Sequence, residues 1–401
     1  MKVLYFGTVC DMNRKDPSIG KEHVSNASVV FESNILSGFK AQGADVDVYS
    51  FPMIPNFSIS KVIGWGSKKE GLECGYAATW IPTVNIAGLK QVSRWFFAKG
   101  IIKKWLKENK NEHAVVLLYS VCPFIAPSVV KLCKKYNKRC IAIVPDLPEN
   151  MYMNHRLRKS KAVLAQMYLR PAINVQSMFD GYVFLTESMK EAIGVLRPYV
   201  IVEGIVDDTC FLEPEVQKST PKAIMYAGRL HERYGLKNLI EAYLRTPHNN
   251  TELWLFGSGS FEPEIEKYVA MDASIKFFGS VKRDIVLDYE QRASLLVNCR
   301  DPMDEYVKYS FPSKTMEYMA SGTPVYTTML PGIPPEYKEY LFTTQTNSVE
   351  DISNMFHRVL NMPESELKAF GTRAKEFVFR EKNATKQAEK IISLINEVLE
   401  L

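Results

Sequence analysis

What most constrains the fold of this 401-residue chain is an alternation that starts over halfway. Short runs of β-branched and aromatic residues are separated by longer stretches with apolar residues at helical spacing. In the first half KVLYFG, DVDVYSF, AVVLLYS, RCIAIVPD and GYVFLT read as buried strands, with helical spacing at residues 29–42 and 128–136. In the second half AIMYAG, ELWLFGSG, IKFFGS, LLVNC, PVYTT and YLFTT do the same, around helical candidates at 236–244 and 261–270. Strand and helix in alternation build a parallel sheet covered on both faces. The expected fold class is therefore α/β, with two Rossmann-like doubly wound domains facing a central cleft, because open α/β sheets take ligands at the carboxyl ends of their strands.

The expected boundaries are an N-terminal domain over 1–205, a linker over 206–222, a C-terminal domain over 223–383 and a last helix over 384–401. The linker lies in VEGIVDDTCFLEPEVQKSTPK, which is acidic, holds two prolines and lacks periodicity. In the last helix Ala388, Ile391, Ile392, Ile395 and Val398 form one stripe, which is expected to dock back on the N-terminal domain. A chain of this length, 46% hydrophobic and 24% charged, can bury two sizeable cores. Its seven cysteines are scattered without paired short spacings, which fits reduced thiols and not a disulfide framework or a zinc site. MKVLYFGTVC reads as a first strand and not a leader, and prolines break the one long uncharged run, His113 to Val130, so no membrane span is predicted. A cytoplasmic protein, at the inner face of the cell membrane, is expected.

Charge is shared unevenly. Residues 1–200 carry 27 Lys and Arg against 15 Asp and Glu, so the net +5 of the chain is +12 in the first half and −7 in the second. Either the first half meets something anionic or it has an ordinary solvated basic surface. Arg94 to Lys110, RWFFAKGIIKKWLKENK, sets Trp95, Ile102, Trp105 and Leu106 among Lys99, Lys103, Lys104 and Lys107. That composition fits a helix lying on an anionic bilayer, or one packing on its own sheet with a basic outer face. HRLRKSK at 155–161 adds positive charge nearby, and no nucleic-acid motif accompanies it, so no nucleic-acid partner is expected.

Four short motifs carry chemistry. YAGRL ends a strand at Gly228 and then offers Arg229, whose planar fork fits two phosphate oxygens; a solvated arginine is the plainer reading. LWLFGSGSF places Gly257, Ser258 and Gly259 between a strand and a helix, either a close approach to a ligand or a simple turn. IKFFGSVKR repeats the arrangement, with Val281 exposing backbone groups. In YSFPSKTMEYMASGTPV a turn through Ser310, Phe311, Pro312, Ser313 and Lys314 starts a helix whose free N–H groups form an anion site. Glu317, one turn in, could accept the paired hydroxyls of a ribose or simply face water.

Taken in order and at these separations, the four motifs resemble the C-terminal domain of GT-B glycosyltransferases, specifically the retaining family 4 (glycosyl transferases group 1). The resemblance covers residues 223–345; the first half resembles the family only in its strand and helix grammar. It implies that Arg229 contacts a donor diphosphate, Glu317 the ribose, Gly257 to Gly259 the floor of the nucleotide site, the backbone around Val281 the base, and the turn at 311–314 phosphate. No metal or other cofactor is implied, and the one Asp-x-Asp, Asp45 and Asp47, reads as strand punctuation. Two positions depart from the family pattern. A lysine expected five residues after the arginine is Tyr234, with Arg233 beside it as a substitute cation, and the first of two glutamates with seven residues between them is Tyr309, with Asp304, Glu305 and Lys308 nearby.

In the first half the resemblance implies an acceptor-side loop from Thr8 to Ser25, where Ser25 and Asn26 stand in place of a glycine pair. Asp146 ends a strand as either a cleft residue or a cap. Tyr119 and Ser120 sit at a strand end facing the cleft, whereas His113 is read as structural. The resulting expectation is a retaining, metal-independent transferase that uses Arg229, Tyr309 and Asp146 in catalysis. It would move a sugar from a nucleotide-sugar, UDP-linked, to a saccharide or lipid-linked saccharide in surface polysaccharide assembly. A non-catalytic scaffold of the same fold and a sugar-nucleotide epimerase are the alternatives.

Overall fold

A computed structural model describes residues 1–11, 26–149, 159–206, 211, 216–247 and 250–401. Loop residues 12–25, with Ser25, the side chain of Asn26, the basic side chains of 155–161 and linker residues 207–210 and 212–215 lie outside the described residues. The chain divides into two compact units, Met1–Ile205 with Ala384–Leu401, and Val206–Asn383.

In the first unit the strands are β1 (Lys2–Gly7), β2 (Asp45–Ser50), β3 (Gly64–Trp65), β4 (Lys69–Gly71), β5 (Ala77–Trp80), β6 (Thr83–Val84), β7 (Ala114–Tyr119), β8 (Arg139–Val144), β9 (Gly181–Phe184) and β10 (Tyr199–Ile201). The second unit adds β11 (Lys222–Ala227), β12 (Thr251–Phe256), β13 (Ile275–Gly279), β14 (Leu295–Asn298), β15 (Val325–Thr328) and β16 (Phe342–Thr344). The helices of the first unit are α1 (Asn26–Ala41), α2 (Phe57–Ser60), α3 (Leu89–Glu108), α4 (Ala126–Lys135), α5 (Lys159–Ile173) and α6 (Glu187–Ile193). Those of the second are α7 (Leu236–Arg245), α8 (Glu262–Met271), α9 (Arg283–Arg292), α10 (Ser313–Ala320), α11 (Val349–Leu360) and α12 (Glu364–Glu381), and α13 (Ala384–Glu400) returns to the first.

The first sheet runs β10-β9-β8-β7-β1-β2-β5-β4, parallel except for the edge strand β4, which is antiparallel to β5. The second runs β13-β12-β11-β14-β15-β16, parallel throughout. Central strands such as AVVLLY are buried along their whole length because helices cover both faces, which is why they read as continuous apolar runs. In the second sheet the order within the unit is third, second, first, fourth, fifth, sixth, so it reverses between β11 and β14. In the first it reverses between β1 and β7. Each reversal splays two strand-end loops apart and opens a crevice there.

Helix α13 completes the first core. Ile391, Leu394, Ile395 and Val398 are buried with Val3, Leu117 and Val183 of the sheet and with Phe39 of α1. Two glycines admit it: a Cβ on Gly38 would collide with the Ala384 carbonyl, and one on Gly181 would press on Val398. Truncating Ile395 to Ala should therefore destabilise the first unit by about 2–5 kcal/mol through lost burial and an unfilled cavity. Peptide-resolved hydrogen exchange under mild denaturant should show the loss in β1, β7 and α1 and not in the second unit.

Candidate active site

At the reversal of the second sheet, the ends of β11 and β14 and one face of α10 enclose a cleft of about 270 Å³. From β11 come Tyr226, Ala227, Gly228 and Arg229, with Tyr234 just beyond; from β14 come Val297, Asn298 and Arg300; from α10 come Lys314 and Tyr318. Three of these ten are cations and none is a carboxylate. A cleft of this kind favours an anion with several oxygens, such as a diphosphate.

Hydrogen bonds fix its walls. The Tyr318 hydroxyl accepts from the Ala227 N–H at 2.8 Å and donates to the Ala227 carbonyl at 3.0 Å. The Tyr226 hydroxyl donates to the Arg229 carbonyl at 3.0 Å, and Asn298 Nδ2 donates to Thr315 Oγ1 at 3.3 Å. Gly257 and Gly259 serve the neighbouring loop: a Cβ on either would collide with the carbonyl of Gly228 or of Leu230. Gly257 has φ 124°, open to glycine and strained for other residues. Ser258 accepts from the Leu230 N–H at 2.9 Å, and Gly259 N–H donates to Glu262 Oε1 at 2.6 Å.

Behind the cleft lies a charge cluster. Lys314 Nζ bonds Glu317 Oε1 and lies 3.4 Å from Glu290 Oε1, while Arg283 Nη2 lies 3.4 Å from Glu317 Oε2. Burial and then the neighbouring Glu317 charge push Glu290 well above the usual carboxylate range. Glu317 is also pushed up by burial, but Lys314 and Arg283 outweigh that and hold it low. Burial disfavours the Lys314 ammonium, yet the two carboxyls hold it charged.

Of the residues singled out in the sequence, Gly228, Arg229, Tyr234 and Lys314 line the cleft. Tyr309 ends a 3₁₀ turn (Glu305–Tyr309), half-buried, and is not among the lining residues. The Phe311 side chain is buried on Tyr337, so only its backbone is available to an anion. Pro312 caps α10, whose first residue Ser313 is exposed, and Ser310 Oγ contacts the Tyr306 carbonyl at 3.4 Å. Val281 packs partly buried on the second core. Arg233 turns to Asp304 at 3.8 Å and stacks over Tyr306 at 4.4 Å. The cation set against Tyr234 is Arg300, at 5.0 Å from its ring, a residue the motifs do not flag.

The reversal of the first sheet collects a second polar group. Glu32, fully buried on α1, accepts from the Tyr5 hydroxyl at 2.9 Å, the Thr8 N–H at 2.9 Å and the Thr8 hydroxyl. Gly7 makes room for it, since a Cβ there would overlap the carboxylate. Burial pushes Glu32 up to about 7 against the pull of these donors. Tyr119 ends β7 beside it, Ser120 follows with φ 64°, in the left-handed region, and burial raises Asp146 after β8. Strain of this kind at a crevice is a mark of functional loops.

The basic helix α3 corrects the set of residues expected to face a bilayer. Ile102, Trp105 and Leu106 are buried in the first unit, with Trp105 Nε1 donating to Asp47 at 2.7 Å. Arg94 is buried too, donating to the Pro52 carbonyl at 2.8 Å and lying over Phe51 and Trp65. Of the four apolar residues singled out on this helix, Trp95 is exposed as expected, beside Phe96 and Phe97, and the exposed stripe runs through Leu89, Val92 and Phe96 and is continued by Lys99, Lys103 and Lys107. Among the described residues no helix is long and apolar enough to cross a membrane.

Residues 221–362 match the family model described as Glycosyl transferases group 1. A search of curated proteins finds no match. Among solved structures, the chain is similar to sucrose-phosphate synthase from Thermosynechococcus elongatus, at 13% identity and TM-score 0.67 over 100% of both chains. It is also similar to HepE of Anabaena in complex with UDP, at 12% identity and TM-score 0.65 over 99% of this chain and 100% of that one. A third is the lipopolysaccharide outer core galactosyltransferase WaaB, at 15% identity and TM-score 0.63 over 99% of each chain. The fold is therefore the GT-B fold, and the matched family model lies in the second unit.

Replacing Tyr318 by Phe leaves the Ala227 N–H and carbonyl without their shared partner in a buried place, which costs about 1–3 kcal/mol. Urea unfolding of the Tyr318→Phe variant should show that loss.

Proposed function

We propose that this GT-B chain, with a glycosyl transferases group 1 domain as its second unit, is a glycosyltransferase that takes its sugar from a UDP-linked donor. The observation that carries this reading is the cleft at the second-sheet reversal, which presents Arg229, Arg300 and Lys314 and no carboxylate. In the proposed reaction the bond between the sugar and the β-phosphate oxygen breaks as the acceptor hydroxyl adds from the same face. Configuration is retained, and the acceptor's proton leaves with the diphosphate. The three cations stabilise the charge that develops on the leaving group, so no metal is called for. Glu317 is assigned to the ribose, Gly257 to Gly259 and the backbone at Val281 to the nucleoside, and Tyr309 to the donor sugar.

The acceptor is proposed to be a saccharide or lipid-linked saccharide, with Asp146, Tyr119 and Ser120 of the first unit on the acceptor side. Its setting would be surface polysaccharide assembly at the cytoplasmic face of the membrane. The α3 stripe of Leu89, Val92 and Phe96 followed by lysines supports a peripheral contact there, since apolar side chains enter the headgroup boundary while lysines meet anionic lipid. The first unit's excess of 27 basic over 15 acidic residues in 1–200 acts in the same direction.

The decisive assay follows UDP release from a panel of nucleotide-sugars, with and without a membrane extract as acceptor source. Acceptor-dependent release supports transfer; binding without turnover gives the scaffold instead, and isomerised donor gives the epimerase. Arg300→Ala and Lys314→Ala should each weaken UDP by about 10- to 100-fold by calorimetry, the worth of a charge-assisted phosphate contact. Unchanged affinity in both variants would place the nucleotide elsewhere. In co-sedimentation, the protein should pellet with phosphatidylglycerol-containing vesicles and not with pure phosphatidylcholine, and Phe96→Ser should abolish it. Equal partition of wild type and variant would remove α3 from the contact.

A further inference from the structure

Glu290 is the one carboxyl in the charge cluster that the proposed chemistry does not use. It sits on α9 with no solvent exposure, against the Lys314 ammonium at 3.4 Å. Its second oxygen, Oε2, is buried with no donor among the described residues, and its carboxyl lies within hydrogen-bond reach of the Glu317 carboxyl, with which a proton on Glu290 can be shared. The same ammonium also serves Glu317, which has Arg283 as a second cation. Glu290 has no such reserve: Lys314 is the only cation paired with it among the described residues, and Glu317 and the Tyr318 phenol are the other titratable groups that face it from α10. Its own helix offers Arg283, engaged with Glu317, and its backbone carbonyl accepts from Thr323 Oγ1 at 2.7 Å.

Two carboxylates on one half-buried ammonium cannot both be charged cheaply, and the fully buried one without a second cation keeps its proton more readily. Lys314 lines the cleft that receives the diphosphate in the proposed function, so whatever holds this lysine from behind sets how much positive charge is free in front.

We propose that Glu290 is a positioning residue of the nucleotide site, a buried carboxyl that steadies Lys314 from behind and, by holding or losing a proton, sets the grip of that lysine on a diphosphate. With the proton in place Glu290 offers Lys314 a neutral oxygen, and the ammonium's charge is divided only between Glu317 and the ligand. Without it, a second negative charge competes with the phosphates for the same ammonium. Burial and the Glu317 charge both raise the Glu290 carboxyl, so its protonated form persists to higher pH than that of an ordinary carboxyl and is lost as pH rises further.

This inference rests on the nucleotide site proposed above, and one experiment separates the two. UDP affinity is measured by calorimetry from about pH 6 to about pH 9 for wild type and for Glu290→Gln, which keeps the shape of the protonated acid and cannot ionise. The two proteins should bind alike at the low end, and wild type should fall behind the variant by about tenfold at the high end, the effect of one pK unit of coupling. Taking the ratio of the two profiles cancels titrations of the nucleotide and of every other group. Parallel profiles overturn the role of Glu290; no UDP binding by wild type at any pH overturns the site itself, and the inference with it. Should Glu290→Gln fail to fold, the wild type alone decides. Binding of UDP at about pH 8, measured in buffers of different ionisation enthalpy, should take up protons, and binding without proton uptake there sinks the proposal.

Discussion

A single phenol ties together two of the three elements that make the cleft of the second unit. Tyr318, buried on α10, both donates to and accepts from Ala227 at the end of β11. A strand end has no further ladder partner for these backbone groups, and left unpaired in a buried place they would cost more than any surface contact could return. The bond therefore fixes α10 in rotation as well as in position. Lys314 lies one turn before Tyr318 on the same face, so it enters the cleft with it, and Glu317, three residues from Lys314, falls beside the ammonium. Arg229, two residues past Ala227, inherits its place from the same anchor.

Around that anchor the charges are sorted by depth. Arginine and lysine face the cleft, while Glu290 and Glu317 stand behind Lys314 and Asp304 stands behind Arg233. The arrangement keeps each buried or half-buried charge near an opposite one without placing a carboxylate where a phosphate would lie. The first unit handles its buried cations differently: Lys90 and Arg94 are held by the backbone carbonyls of Ile54 and Pro52, and burial lowers the lysine to about 8.

The fold was legible in the sequence because buried parallel strands leave continuous apolar runs that survive without any alignment, and β7 and β11 are clear cases. Gly228, Arg229 and Lys314 were legible because each sits in a short motif beside a strand end or helix start. Arg300 was not: it follows β14 in NCRDP, where nothing local separates a cleft arginine from a solvated one, and only the strand order brings it to Tyr234. Glu290 was hidden for the opposite reason, since a glutamate late in the polar helix α9 reads as surface. Composition left the faces of α3 open between a bilayer and the helix's own sheet, because a count of tryptophans and lysines does not say which side the sheet will claim; the sheet takes Ile102, Trp105 and Leu106. The glycines of LWLFGSGSF were left open between a close approach to a ligand and a simple turn, and in the structure it is the neighbouring backbone at 228–230 that comes close to Gly257 and Gly259.

Helix α13 carries a consequence for the order of events during synthesis. Residues 206–383 form a unit of their own, whereas the first unit, though its sheet is made earlier, lacks Ile391, Leu394, Ile395 and Val398 until α13 is out. Of the two units, the one whose sheet is made first is thus the one completed last, and part of one apolar face of that sheet waits uncovered until residues 384–401 follow. A nascent chain of this design spends its longest exposed interval with the basic half open, so the segment most in need of a chaperone is the one already synthesised.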